Sequence, residues 1–142
     1  MPTSRANAAW EGTLKEGRGQ FAAASGAFKG PYTFKTRFEG AAGTNPEELL
    51  AAAEAACFSM ALSGALEKAG TPPTRLETTA ACTIEFVDGG PKITRMELTV
   101  KGTVPGTDQA AFARIANEAK AGCPVSRALA GIPSITVTAT LG

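Results

Sequence analysis

From Asn45 to Gly70 the chain reads as one long helix whose side chains are small nearly all the way round. Asn45 is a good N-cap, and Pro46 suits the first helical position, where no backbone N–H is needed. Glu47 and Glu48 lie in the first turn, where the helix dipole favours acids, and Glu48 is also the third residue of a capping box. Gly70 ends the helix and Pro72-Pro73 prevents its resumption, which gives a helix from Pro46 to about Lys68. Leu49, Ala53, Ala56, Met60 and Gly64 form one stripe at helical spacing, flanked by Leu50, Cys57 and Ala61. Along Ala51-Ala52-Ala53-Glu54-Ala55-Ala56 other elements can approach closely on several sides. A helix of this kind belongs at the centre of a fold, and the remaining elements must be arranged around it.

Those elements are mostly strands. Ala9 to Leu14 and Gln20 to Ala24 read as short strands, with Gly17 and Gly19 bracketing one turn and Ser25-Gly26 marking the next. Tyr32 to Phe38 alternates strictly and predicts a third strand, with aromatics on one face and Thr33, Lys35 and Arg37 on the other. Thr74 to Val87 and Lys92 to Val104 are long alternating runs joined by Asp88-Gly89-Gly90-Pro91, the pattern of an antiparallel hairpin. Asp108 to Ala121 predicts a second helix, with Phe112, Ile115, Ala116 and Ala119 facing inward and Gly122 as its stop. Cys123-Pro124 reads as the cap and first position of a short helix to Ala130, and Ile132 to Leu141 as a final strand. No repeat or linker interrupts the 142 residues, a length that suits one domain. The expectation is a single domain, 1–142, of class α+β with mostly antiparallel pairing.

The chain contains no histidine, which excludes Ser-His and Cys-His catalysis and most zinc sites. With 14 basic and 13 acidic side chains the net charge is +1, so nothing electrostatic calls for nucleic acid or an anionic membrane. No apolar run is expected to span a bilayer, and MPTSRANAAW lacks the organisation of a signal peptide, so a soluble cytoplasmic protein is expected. Gly17-Arg18-Gly19 lacks the third glycine of a dinucleotide fingerprint and the Lys-Ser/Thr pair of a P-loop. No cofactor and no metal is therefore expected. Two classes of function survive: thiol chemistry, or a non-catalytic dimeric binding module for a small apolar ligand.

The three cysteines, Cys57, Cys82 and Cys123, form neither a disulfide framework nor a metal spacing. Cys57 sits mid-helix, where a free cysteine ordinarily serves as a small buried hydrophobe. Cys82 lies within an alternating strand and reads as a core residue. Cys123, at a helix start, would have free backbone N–H groups near its sulfur, which favours thiolate. Glu54 is the one charge in the alanine run, three residues before Cys57, and either raises that thiol's pKa or faces solvent. Arg18 and Arg37 are candidate partners for a thiolate, although each has an ordinary reading as a solvated surface group.

Four motifs in order carry a resemblance: Lys35-Thr36-Arg37-Phe38-Glu39-Gly40, then Gly43-Thr44-Asn45-Pro46-Glu47-Glu48-Leu49, then Ala55-Ala56-Cys57-Phe58-Ser59-Met60-Ala61-Leu62, and near the end Lys120-Ala121-Gly122-Cys123-Pro124-Val125-Ser126. Over nearly the whole chain the sequence resembles the osmotically inducible protein C (OsmC) family, sister to the organic hydroperoxide resistance proteins. The resemblance implies an OsmC-like fold, with antiparallel sheets wrapped around central helices in an intertwined homodimer. It implies a thiol-dependent peroxidase that reduces organic hydroperoxides to alcohols and is restored by an external thiol. It gives Cys57 the role of peroxide-attacking thiol, Cys123 that of resolving thiol, and Glu47 that of the glutamate after Asn-Pro. The supporting arginine matches Arg37 in this branch, whereas in the sister branch it comes from the N-terminal hairpin, where Arg18 stands. Cys82 matches no functional position.

A guanidinium stays charged at any working pH, so in a chain without histidine it is a reasonable means of holding a thiolate. A carboxylate can orient its planar fork. Glu47 and Cys57 stand ten residues apart on one helix, about 15 Å in rise and about 80° apart in direction. One arginine cannot easily serve both within one chain, so a site shared between two subunits is expected.

Overall fold

The first strands end where glycine and paired rings permit close approach. A computed structural model describes residues 1–142, which divide into two compact units, Met1–Glu48 and Leu49–Gly142. In the first unit β1 (Ala6–Glu11), β2 (Arg18–Ala23) and β3 (Lys29–Tyr32) form an antiparallel sheet in the order β1-β2-β3. Gly19 is the buried middle residue opposite both Trp10 and Tyr32. A Cβ there would lie 2.4 Å from Tyr32 Cζ and 2.8 Å from Trp10 Cε3, so only glycine lets those rings close to a 5.5 Å centroid distance.

The expected strand Tyr32 to Phe38 is not one. Tyr32 ends β3, and Phe34–Phe38 is a short helix, α1. Thr33 caps it: the Thr36 N–H donates to Thr33 Oγ1 at 3.2 Å, and the Thr33 N–H donates to Thr36 Oγ1 at 3.0 Å. This reciprocal box satisfies two end donors locally and outweighs a period-two pattern. The helix places Phe34 and Phe38 one turn apart on one face, ring centroids 4.9 Å apart, with Arg37 over the Phe38 ring at 5.2 Å.

Helix α2 (Pro46–Lys68) starts in the first unit and runs through the second. Its cap is as expected, with the Glu48 N–H donating to Asn45 Oδ1 at 2.9 Å. The face it buries is not the expected one. Glu54, Phe58, Leu62 and Leu66 are fully buried, whereas Ala53 and Ala56 are exposed and Met60 is 78% exposed. On a helix this uniformly apolar, spacing alone cannot choose the inward side. The helix is also long and apolar enough to cross a bilayer, contrary to the expectation that no such run exists. Phe58, Leu62 and Leu66, however, pack into the protein's own core with Leu98, Val100, Val104 and Phe112.

In the second unit β4 (Arg75–Val87) and β5 (Gly90–Thr103) form the long antiparallel hairpin. Its two-residue turn, Asp88-Gly89, has φ of 52° and 83°, the left-handed pair that matches strand twist. Along β5, Met96, Leu98, Val100 and Gly102 are buried and their neighbours exposed. β6 (Ser134–Leu141) pairs with β5 in parallel, giving the order β4-β5-β6. Helix α3 (Gln109–Gly122) lays Phe112, Ile115, Ala116 and Ala119 onto the core. Helix α4 (Pro124–Ala128) follows directly from Cys123. The architecture is α+β with mostly antiparallel pairing.

Candidate active site

Two thiols meet where α2 faces the start of α4. Cys57 is half-buried on α2, and Cys123, wholly buried between α3 and α4, donates through its Sγ to Cys57 Sγ at 3.1 Å. Pro124 forces Cys123 into extended backbone (φ −65°, ψ 124°), because the residue before a proline disfavours helical geometry. That break turns the chain from α3 into α4 and fixes the sulfur at the junction. α4 has only five residues, so Cys123 starts one short turn rather than a long dipole. A disulfide measures about 2.05 Å, so bond formation needs an approach of about 1 Å.

Burial pushes the Cys57 thiol above its ordinary value of 9.0, and the Cys123 hydrogen bond and the Glu54 charge push the same way. The Val125 backbone N–H at the start of α4 pulls in the opposite direction. Glu54 is completely buried, not solvent-facing; its Oε1 accepts from Ser126 Oγ, and its Oε2 has no partner.

In the first unit Arg37 and Glu47 form a forked pair. Arg37 Nη2 and Nε donate to Glu47 Oε1 at 2.8 and 3.1 Å, and Nε also reaches Oε2 at 3.3 Å. The Glu47 side chain is 5% exposed, so its carboxylate depends on that cation. Arg18 instead pairs with Glu11 at 3.2 Å in open solvent. Arg37 also lines a cavity of about 260 Å³ walled by Trp10, Leu14, Tyr32, Phe34 and Phe38. Cys82 is half-buried opposite Met96 on β5 and takes part in no disulfide. No cluster of three His, Cys, Asp or Glu side chains could hold a metal ion.

Within each unit the structure therefore joins expected residues: Cys57 with Cys123, and Arg37 with Glu47. It adds Ser126 and Val125, to which the sequence reading gave no role, and it gathers the aromatics of the Tyr32–Phe38 segment into the ring-walled cavity. Ser126 follows Cys123 by three residues as Glu54 precedes Cys57 by three, a mirrored spacing that could have paired them. The shape of the cavity's aromatic wall depends on α1 being helical, which the alternating pattern did not indicate.

Residues 38–138 match the family described as OsmC-like protein. The chain is 51% identical over 126 residues to Peroxiredoxin OsmC of Escherichia coli (strain K12), covering 88% of each. It is 35% identical over 100 residues to the Organic hydroperoxide resistance protein of Xanthomonas axonopodis pv. citri, covering 70% of this chain and 68% of the relative. Its fold matches the crystal structure of the organic hydroperoxide resistance protein OhrB of Bacillus subtilis with a TM-score of 0.73 and 26% identity, over 97% of this chain and 98% of that one. These relatives support a peroxidase-type function. By family match, sequence identity and fold, the chain belongs to the OsmC-like protein family.

Proposed function

We propose that this chain is a thiol-dependent peroxidase that reduces organic hydroperoxides through Cys57 and Cys123, acting in the cytoplasm as a homodimer with 1–142 as one catalytic domain. The observation that carries the reading is the 3.1 Å separation of two thiols outside any disulfide, one on α2 and one at the break between α3 and α4. A module that merely binds an apolar ligand has no need of two sulfurs so placed.

The Cys57 thiolate attacks the peroxide oxygen. The O–O bond breaks, the alkoxide takes a proton and leaves as alcohol, and Cys57 becomes a sulfenic acid. Cys123 sulfur then bonds to Cys57 sulfur, and the sulfenic oxygen departs as water. Two equivalents of an external thiol reduce the disulfide. Arg37 is the cation that favours thiolate and stabilises charge on the departing oxygen, with its fork set by Glu47. The ring-walled cavity beside Arg37 suits an apolar R group, the feature that separates an organic hydroperoxide from hydrogen peroxide.

The same physics supports the homodimer. Of the groups acting on Cys57, only the Val125 N–H favours thiolate, so the thiol needs a cation to react near neutral pH. The exposed stripe of Ala53, Ala56 and Met60 on α2 gives a second copy a close-packing surface.

The test is single-turnover reaction with cumene hydroperoxide. Cys57→Ser should release no alcohol. Cys123→Ser should release one equivalent and then stall as sulfenic acid or over-oxidise. In the wild type, non-reducing peptide mass spectrometry should find Cys57 joined to Cys123 within one chain and Cys82 in no disulfide. A dominant disulfide through Cys82, or exchanged phenotypes of the two serine variants, would refute the roles.

A further inference from the structure

No step of the proposed cycle uses Glu54, yet its carboxyl is among the least accessible groups in the protein, at 0% exposure. One oxygen holds Ser126 Oγ, and the other has no partner. A carboxylate buried with a single neutral hydroxyl is costly to maintain. Its position gives it a use. Glu54 lies one turn before Cys57 on α2, and Ser126 one turn after Cys123 on α4. The helices thus meet in two adjacent rungs, sulfur on sulfur and carboxyl on hydroxyl, with side chains a turn apart at about 5–6 Å between Cβ atoms.

The resolving step has a proton problem that this arrangement answers. Cys123 is wholly buried, so its thiol cannot lose its proton directly to solvent. The sulfenic oxygen on Cys57 must gain a proton to leave as water. Beyond Ser126 lies a cavity of about 310 Å³ whose wall includes Lys120, Arg127, Ile132 and Ile135. Ser126 therefore stands between the buried carboxyl and that space.

Resting on the peroxidase reading above, we propose that Glu54 is the internal proton carrier of the resolving step. Its carboxylate accepts the proton of the Cys123 thiol as the Cys123 sulfur bonds to the Cys57 sulfur. The same proton then passes to the sulfenic oxygen, which departs with the electrons of the broken S–O bond and leaves as water. One S–S bond forms, one S–O and one S–H bond break, Cys123 is oxidised as the sulfenic sulfur is reduced, and Glu54 returns to its starting form. Ser126 fixes one carboxyl oxygen and leaves the other to carry the proton. Of the titratable groups near Glu54, Cys57 lies on its own helix, Cys123 hydrogen-bonds to Cys57 at the head of α4, and Lys120 and Arg127 line the cavity wall beyond Ser126. Phe58 and Leu62 continue its face of α2 with apolar side chains.

The experiment separates the two chemical steps in the full-length protein. Wild type, Glu54→Gln and Ser126→Ala are each mixed with one equivalent of cumene hydroperoxide across a range of pH. Alcohol release times the first step, and quenched mass spectrometry times the sulfenic acid and the disulfide. Glutamine fills the same space and can hydrogen-bond Ser126 but cannot carry a proton. In Glu54→Gln the disulfide step should slow by about 100-fold, far more than alcohol release, with dimedone-trappable sulfenic acid accumulating. Ser126→Ala removes the hydroxyl that fixes one carboxyl oxygen, so the disulfide step should slow while alcohol release keeps its wild-type rate. Equal slowing of both steps in Glu54→Gln would indicate a structural role and overturn the proposal, as would a wild-type resolving rate. If Glu54→Gln does not fold, a wild-type resolving rate in Ser126→Ala overturns it. Failure of the wild type to release any alcohol would instead overturn the peroxidase reading itself.

Discussion

Helix α2 runs unbroken from Pro46 to Lys68, so Glu47 and Cys57 are held about 15 Å apart along its axis and about 80° apart around it. Glu47 already spends its carboxylate on Arg37, through three hydrogen bonds of 2.8 to 3.3 Å. If that pair and Cys57 belong to one active site, two copies of the helix must cross so that Glu47 of one subunit serves Cys57 of the other. The perturbation is to inactivate each half separately, with Cys57→Ser in one preparation and Glu47→Ala in the other, and to unfold and co-refold them in equal amounts. Random association makes about half of the dimers mixed, and each mixed dimer holds one intact and one doubly defective site. The mixture should therefore recover about a quarter of wild-type turnover, well above either parent. The assay is loss of cumene hydroperoxide with a small dithiol as reductant, and size-exclusion chromatography checks that dimers have reformed. If each site lies within one chain, no mixed dimer contains an intact one. Turnover no greater than the mean of the two parents would then refute the crossed-helix reasoning.

Other consequences are as direct. Cumene or tert-butyl hydroperoxide should react faster than hydrogen peroxide, because two buried methyl groups contribute about 1.6 kcal/mol, more than tenfold in rate constant; second-order constants that favour hydrogen peroxide would contradict the cavity argument. Gly102→Ala should destabilise the second unit by about 1–3 kcal/mol, since a Cβ there would lie 2.5 Å from Phe112 Cζ, and the urea midpoint reads the change. Because folding raises the Cys57 pKa, the folded state favours the neutral thiol. That contribution is complete below the ordinary value of 9.0 and lost as pH rises through the higher folded value. Reduced Arg37→Ala protein, in which no guanidinium reaches the thiol, should accordingly lose stability in that alkaline window, and adding Cys57→Ser should flatten the loss in thermal unfolding scans.

What could be read from the sequence depended on whether the signal was local. The Asn45 cap, the Asp88-Gly89 turn and the alternation of Met96, Leu98 and Val100 each rest on neighbours a few residues apart, and each is present as expected. Tyr32 to Phe38 misled because alternating aromatics imitate a strand, while the deciding contact, Thr33 with Thr36, needs only two hydroxyls at helical spacing. The pairing of Glu54 with Ser126 spans 72 residues, and its one trace in the sequence is the three-residue offset of each from its cysteine. Helix α2 failed differently. Its small side chains show that something must pack closely against it, but no amphipathic stripe says on which side. In the structure Phe58, Leu62 and Leu66 face the protein's own core, and Ala53, Ala56 and Met60 face outward. The uniformity that hides the inward face from a sequence reader is therefore also what a helix requires if, in the proposed dimer, it must pack against its own sheet on one side and a second subunit on the other.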